Sequence, residues 1–298
     1  MPLTYNQLVD FFYNLILTGA TRMPLDVYTA LKKAYDEEEN PVAKKQFEAI
    51  LKNIDLAARM TRPICQDTGT PYFFIEVGEE FPLKTKIKQA AEEALAKLTK
   101  QGYLRPNSVD PFYFKNPGNN AGRHIPWYHF EITDGEKLDV WYLAKGGGSE
   151  APSTLVMSTP LKGFENLKKT VVETIAKYGA MPCPPVIVGV AVAAGADIAL
   201  ALAKKTLLRD TLARNPDPKL AKLEEALLKA VNELEIGPHG FGGKTTALNV
   251  HVDYAFRHPA TFAIAVITGC WATRKSHGVI DSTGEWGITS KHYEPEEG

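Results

Sequence analysis

Three cysteines, Cys65, Cys183 and Cys270, are the residues of this sequence best equipped for metal chemistry. Thiolate sulfur is a soft ligand suited to zinc, copper(I) and iron–sulfur clusters. So sparse and odd a count excludes a disulfide framework and fits a reducing compartment. Each cysteine falls beside proline or glycine at the end of an expected strand. Cys65 lies in Arg62-Pro63-Ile64-Cys65-Gln66-Asp67-Thr68-Gly69, Cys183 between Met181-Pro182 and Pro184-Pro185, and Cys270 between the strand Thr261–Gly269 and Trp271-Ala272-Thr273-Arg274. A free cysteine ordinarily acts as a small buried hydrophobe. Three at loop positions read instead as thiolates converging on a metal or cluster. No C-x-x-C pair occurs, which argues against a zinc ribbon and a thioredoxin-type redox pair. Two arrangements stay open on the residues alone. One is structural zinc completed by a histidine. The other is a [4Fe–4S] cluster with one iron lacking a protein sulfur, an open Lewis acid for a substrate hydroxyl or carboxylate.

Other groups bear on the same chemistry. Cys65, Gln66, Asp67 and Thr68 present a thiol, an amide, a carboxylate and a hydroxyl in succession; the plainer reading is an Asx-type turn closed by Gly69. Lys145-Gly146-Gly147-Gly148-Ser149-Glu150 offers backbone N–H groups to an anion, or is merely a flexible turn. Gly242-Gly243-Lys244-Thr245-Thr246 imitates the end of a phosphate-binding loop, but proline stands at 238 where that pattern needs glycine and a strand follows, so nucleotide binding is rejected. His251 sits in an alternating strand and reads as structural. His258, in Arg257-His258-Pro259, precedes the strand that ends at Cys270; a strand's length separates the two, so it need not meet Cys270 within one chain, which leaves it able to serve a neighbouring site.

The elements that must carry these residues are α+β in pattern. The 298 residues hold 34 Lys+Arg against 35 Asp+Glu, a net charge of −1, with 44% hydrophobic and 23% charged residues. That is a globular composition, without the basic excess that nucleic acid requires. The N-terminal apolar stretch around Phe11–Leu17 lacks a basic leader and is interrupted by Asp10 and Asn14, and the run Pro184–Ala196 is too short to span a bilayer. A cytoplasmic protein with no membrane partner is expected. Thr4 and Gln7 form a capping box for a first helix stopped at Gly19, Pro24-Leu25 opens a second, and Asn40-Pro41 caps a third that runs to Arg62-Pro63. Strands are expected at Tyr72–Val77, Pro185–Ala193, Leu248–Tyr254 and Thr261–Thr268, and a hairpin at Trp127–Ile132 and Leu138–Leu143 around Thr133-Asp134-Gly135. Helices are expected at 84–101, Asn166–Tyr178, Gly195–Arg209 and Leu220–Leu234. Tyr103–Arg123 is a long Pro/Asn/Gly loop, a length that favours function. The reading is one mixed α+β domain over residues 1–298, helical at its N-terminus, with mainly antiparallel or mixed strands.

At Ile64-Cys65-Gln66-Asp67-Thr68-Gly69 the sequence resembles the α subunit, or N-terminal region, of class I fumarate hydratases and L-tartrate dehydratases, which are iron–sulfur hydro-lyases. The resemblance continues through Leu104-Arg105-Pro106, Lys145–Ser149, Cys183-Pro184-Pro185 and His258 to Cys270-Trp271-Ala272-Thr273-Arg274, essentially the whole chain. It implies that Cys65, Cys183 and Cys270 hold a [4Fe–4S] cluster with one open iron. Gln66 and Asp67 would contact substrate, with Asp67 also moving a proton, and Arg105 would fork onto a dicarboxylate. The bare backbone at Gly146, Gly147 and Gly148 would admit the substrate, and His258 would act catalytically from a neighbouring protomer. Single-chain members continue into a second domain, whereas this sequence ends in an acidic tail from His292. The resemblance therefore implies a separate β subunit carrying the remaining site residues, in an α2β2 assembly. Fumarate hydration to (S)-malate is the expected reaction, with L-tartrate dehydration to oxaloacetate as the alternative; a non-catalytic zinc protein is the contrasting class.

Overall fold

The computed structural model describes residues 2–296, and the last two residues of the acidic tail lie outside them. The described residues gather into two compact units: one from residues up to Leu25, Asn53–Gly146 and Thr273 onward, the other from Asp26–Lys52 and Gly147–Ala272. The fold is α+β, with mixed sheets of five and four strands.

In the first unit, helix α1 (Tyr5–Thr21) begins at the Thr4/Gln7 capping box read from the sequence. Its apolar stripe, Leu8, Phe11, Phe12, Leu15 and Ile16, is fully buried against strands β1 (Thr70–Gly78) and β3 (Leu138–Lys145) and helix α4 (Ile87–Lys100). Phe73 is the hub of that core, with its ring 5.6 Å from Phe12 and 5.5 Å from Tyr142. Gly19 does not stop α1. It lies inside the helix where a Cβ would stand 2.8 Å from the Tyr142 ring, so its role is close packing of helix on sheet.

The expected hairpin is not formed. Strands β2 (Trp127–Thr133) and β3 flank β1 instead of pairing, β2 parallel to it and β3 antiparallel. The Thr133–Lys137 turn wraps the end of β1: the N–H groups of Gly78, Glu79 and Glu80 donate to Lys137, Thr133 and Gly135 carbonyls. A Cβ at Gly78 would lie 2.1 Å from the Gly135 oxygen, so a glycine there lets the turn close over the strand. Strand β8 (Arg274–Ile280) joins β3 antiparallel, and β9 (Trp286–Ile288) closes that edge. The start of β8 escapes a hydrophobicity pattern because Arg274, Lys275 and Ser276 are polar yet buried.

The second unit takes in helix α2 (Leu25–Glu37) from Asp26 on and helix α3 (Pro41–Met60) as far as Lys52, and Asn40 Oδ1 accepts from the Val42 N–H to start α3 as read. A sheet follows in the order β4 (Thr154–Ser158), β7 (Phe262–Gly269), β5 (Val186–Ala193), β6 (Ala247–Tyr254), with only β5 and β6 parallel. Strand β4 was not anticipated. The single helical turn α5 (Gly147–Glu150) precedes it. Because side chains alternate along a strand, Val186, Val188 and Val190 pack under α6 (Gly163–Tyr178) and α8 (Pro218–Asn232), joined by Val171, Leu227 and Val231. The other face meets α7 (Ala196–Lys205), where Gly189 would place a Cβ 2.2 Å from the Ala203 carbonyl oxygen. Among the described residues no helix is long and apolar enough to cross a membrane.

Phe73→Ala removes the aromatic hub shared by α1 and the five-stranded sheet. It is expected to destabilise the chain by about 3–5 kcal/mol, read from the denaturant midpoint, because the surrounding rings cannot collapse into the void.

Candidate functional site

In the first unit the Cys65 loop is anchored on both flanks. The Ile64 N–H donates to the Ala20 carbonyl at 3.0 Å, and Asn53 Nδ2 donates to the Ile64 carbonyl at 2.8 Å, fixing the main chain one residue before the thiol. Cys65 is half-buried, Gln66 exposed and Asp67 half-buried. The Asx turn is present: Asp67 Oδ1 accepts the Gly69 N–H at 3.0 Å. Gly69 has φ +83°, and a Cβ there would stand 2.9 Å from the Lys145 backbone, which presses the loop onto the end of β3. The buried Thr68 Oγ1 accepts the Arg105 N–H at 3.0 Å, so the loop also carries the Arg105 segment, whose guanidinium is exposed.

Two side chains converge on Gly146. A Cβ at that buried position would lie 2.8 Å from Asp67 Oδ2 and 3.0 Å from Arg274 Nη2. Lys145 and Arg274, both under 4% exposed, bring cationic charge to the same strand ends, with Arg274 opposite Ala144 in the β3–β8 register. A carboxylate beside buried cations and a stretch of bare backbone is a surface chemically suited to a small anion. Arg274 and Lys145 were in the sequence motifs but carried no assigned role; their burial is the signal that marks them, since charged groups are seldom buried without purpose.

In the second unit the structure brings two cysteines onto adjoining loops. Ile187 of β5 pairs with Gly269 of β7, and just beyond that register the Cys183 carbonyl accepts the Trp271 N–H at 3.2 Å. Cys183 is exposed, holds φ +53° and donates its N–H to the Ala180 carbonyl; Cys270 is half-buried. The glycine turn packs onto the same place. A Cβ at Gly148 would lie 2.9 Å from the Met181 carbonyl oxygen, and Thr268 Oγ1 donates to the Ser149 carbonyl at 2.9 Å.

His239 was missed in the sequence. Its N–H donates to the Pro184 carbonyl at 2.8 Å, its ring stands edge-on to Trp271 at 5.9 Å, and Nδ1 lies 3.2 Å from Gln46 Oε1. Burial holds its pKa below the ordinary imidazole value. The signal was available: Gly237-Pro238-His239-Gly240 has the same proline and glycine punctuation that marks the cysteines. His258 is placed elsewhere, in the exposed loop before β7, where Nδ1 accepts the Ala260 N–H. Eight strand residues then separate it from Cys270 by about 25 Å, so the two do not meet within this unit. His251 is fully buried in β6, as its structural reading required.

All three thiols are free of disulfides. Among the described residues no three His, Cys, Asp or Glu side chains stand grouped as metal ligands. The donor set nevertheless fits an iron–sulfur cluster in kind: three thiols, all at loop positions, two of them on loops joined by a main-chain hydrogen bond.

The family profile described as fumarate hydratase (Fumerase) matches residues 10–279. The chain is 37% identical over 271 residues to an L(+)-tartrate dehydratase subunit alpha of Escherichia coli, covering 91% of this chain and 89% of that protein. The corresponding Shigella sonnei protein is 36% identical over the same share of both chains. A putative L(+)-tartrate dehydratase subunit alpha of Methanocaldococcus jannaschii is 37% identical, over 90% of this chain and 95% of its own.

Gly146→Ala tests the bare-backbone surface. The added methyl meets Asp67 Oδ2 and Arg274 Nη2, so turnover is expected to fall by roughly two orders of magnitude, about 2.7 kcal/mol of barrier. The thermal midpoint, taken on the same preparation, is expected to shift by only about 2–4 °C.

Proposed function

Starting from the fumarate hydratase (Fumerase) family, to which this chain belongs, we propose that it is the cluster-bearing α subunit of a hydro-lyase interconverting fumarate and (S)-malate. The observation that carries the reading is the Gly146 surface, where Asp67 and Arg274 pack closely against a backbone that carries no Cβ. Such a surface suits a small dicarboxylate, whose charges call for fixed cations and whose reacting carbons call for a placed carboxylate.

Each residue has a part that its chemistry supports. Arg105, exposed on the segment zipped to Thr68, pairs through its planar fork with one substrate carboxylate. Gln66 and Asp67 contact the substrate hydroxyl, and the Asp67 carboxylate takes or returns a proton there. Gly147 and Gly148, both exposed, are assigned to contact the substrate through their backbone. Cys65, Cys183 and Cys270 hold a [4Fe–4S] cluster, and the chemistry that group supplies when bound is Lewis-acid polarisation of the C–O bond at the iron without a cysteine. His258, remote from Cys270 along β7, serves the site of a second protomer. The relatives' names designate alpha subunits, and we assign the base and remaining cations to a separate β subunit in a cytoplasmic α2β2 enzyme.

The names of the curated relatives favour a second reading, dehydration of L-tartrate to oxaloacetate, on the same residues. The non-catalytic zinc reading gives way to the family assignment.

Anaerobic reconstitution with iron and sulfide, in the presence of the cognate β subunit, is expected to give a brown protein that hydrates fumarate. Cys65→Ser, Cys183→Ser and Cys270→Ser should each lower bound iron and abolish turnover. Turnover of L-tartrate with fumarate inert would move the assignment to the second reading, and inertness toward both would overturn it.

A further inference from the structure

Asp67 needs more than proximity to act. The terminal torsion of an aspartate is broad and shallow, so its carboxylate plane is set by whatever donors surround it. In this chain Asp67 Oδ1 receives the Gly69 N–H at 3.0 Å and Asn107 Nδ2 at 3.1 Å. The same amide reaches Thr68 Oγ1 at 3.3 Å. With Oδ1 so engaged, Oδ2 is the oxygen on the Gly146 side.

Asn107 is itself held by its main chain, independently of that amide. Its N–H donates to Asn120 Oδ1 at 2.8 Å. Asn120 is buried with φ +59°, and its own amide donates to Thr99 Oγ1 at 2.9 Å and to the Arg105 carbonyl at 3.0 Å. One asparagine therefore builds the loop, and the other spends its side chain on Asp67 and its neighbour. We infer that Asn107 is the positioning residue of the reaction, its amide fixing the Asp67 carboxylate plane so that Oδ2 is presented toward the substrate surface at Gly146. The inference rests on the proposed part of Asp67 in contacting substrate. An amide is required because it donates: a carboxylate at 107 would set like charge against Asp67 and take this donor from Oδ1.

The test uses the reconstituted enzyme with its β subunit. Asn107→Ala is expected to lower kcat at least tenfold with KM within about threefold of the parent, because a group acting through Asp67 changes the transition state more than ground-state binding. Asn107→Asp is expected to lose at least as much. Iron and sulfide content and the thermal midpoint should match the parent in both, whereas Asn120→Ala, which removes the loop's own anchor, should lower the midpoint. A crystal structure of Asn107→Ala should show the Asp67 carboxylate rotated away from Gly146. Unchanged kcat, loss of iron from the Asn107 variants, or an unmoved Asp67 would each overturn the inference. If the parent complex turns over neither fumarate nor L-tartrate, the functional reading fails on its own terms, and the crystallographic arm still decides whether Asn107 holds Asp67.

Discussion

The main chain at Gly69 lies so close to that of Ala144 and Lys145 that a Cβ at 69 would stand 2.9 Å from the Lys145 backbone. That contact sets the geometry of the first unit's candidate site residues. It presses the Cys65–Gly69 loop onto the end of β3 and thereby brings Asp67 to Gly146. A side chain at 69 would have to separate the two segments and would face a positive φ as well. Packing behind the contact makes it rigid: Phe12, Phe73 and Tyr142 lock α1 onto the sheet, and the Ile64 N–H ties the loop's entrance to the C-terminal turn of α1. The aromatic core thus holds polar residues in place without touching them.

Buried cations are the second organising feature. Taking Lys145, Arg274 and Lys275 out of water has a cost that only nearby carbonyls, carboxylates or an anionic ligand can offset. Lys145 and Arg274 sit at the ends of neighbouring strands, with Arg274 close to the Asp67 carboxylate at Gly146. The same polarity hid β8 from a pattern of alternating hydrophobicity, since the strand opens with Arg-Lys-Ser where the pattern wants apolar side chains. A functional demand and a failure of local prediction coincide there, as they often do where a site interrupts a core.

In the second unit the organising interaction is the β5–β7 ladder. Its register delivers Cys183 and Cys270 to neighbouring loops although they lie 87 residues apart in sequence, and His239 ties itself to both loops through Pro184 and Trp271. His258 lies at the far end of β7 because the strand between is straight and extended. Strand pairing and strand length, not the chemistry of any one residue, decide which of these groups come near one another within the unit.

Much of this was legible in the amino-acid order. The capping box at Thr4, the Asn40-Pro41 helix start, the apolar stripes and the punctuation around each cysteine are local, and local backbone preference is enough to specify them. The family resemblance could be read from contiguous motifs for the same reason. Strand partners and close approaches could not. Trp127–Thr133 and Leu138–Lys145 look like a hairpin, and only the insertion of β1 between them, permitted by Gly78 under the Gly135 carbonyl, separates them. Gly19 looks like a helix stop until the Tyr142 ring is seen against it. Asn107 carries no motif and His239 only its proline and glycine punctuation, and their partners lie 40 and 55 residues away at Asp67 and Pro184. Sequence determined the elements and the reactive groups, because both follow from residue type and short-range spacing. Tertiary structure alone decided which groups face one another, because that depends on strand order and on where a missing side chain lets two backbones touch.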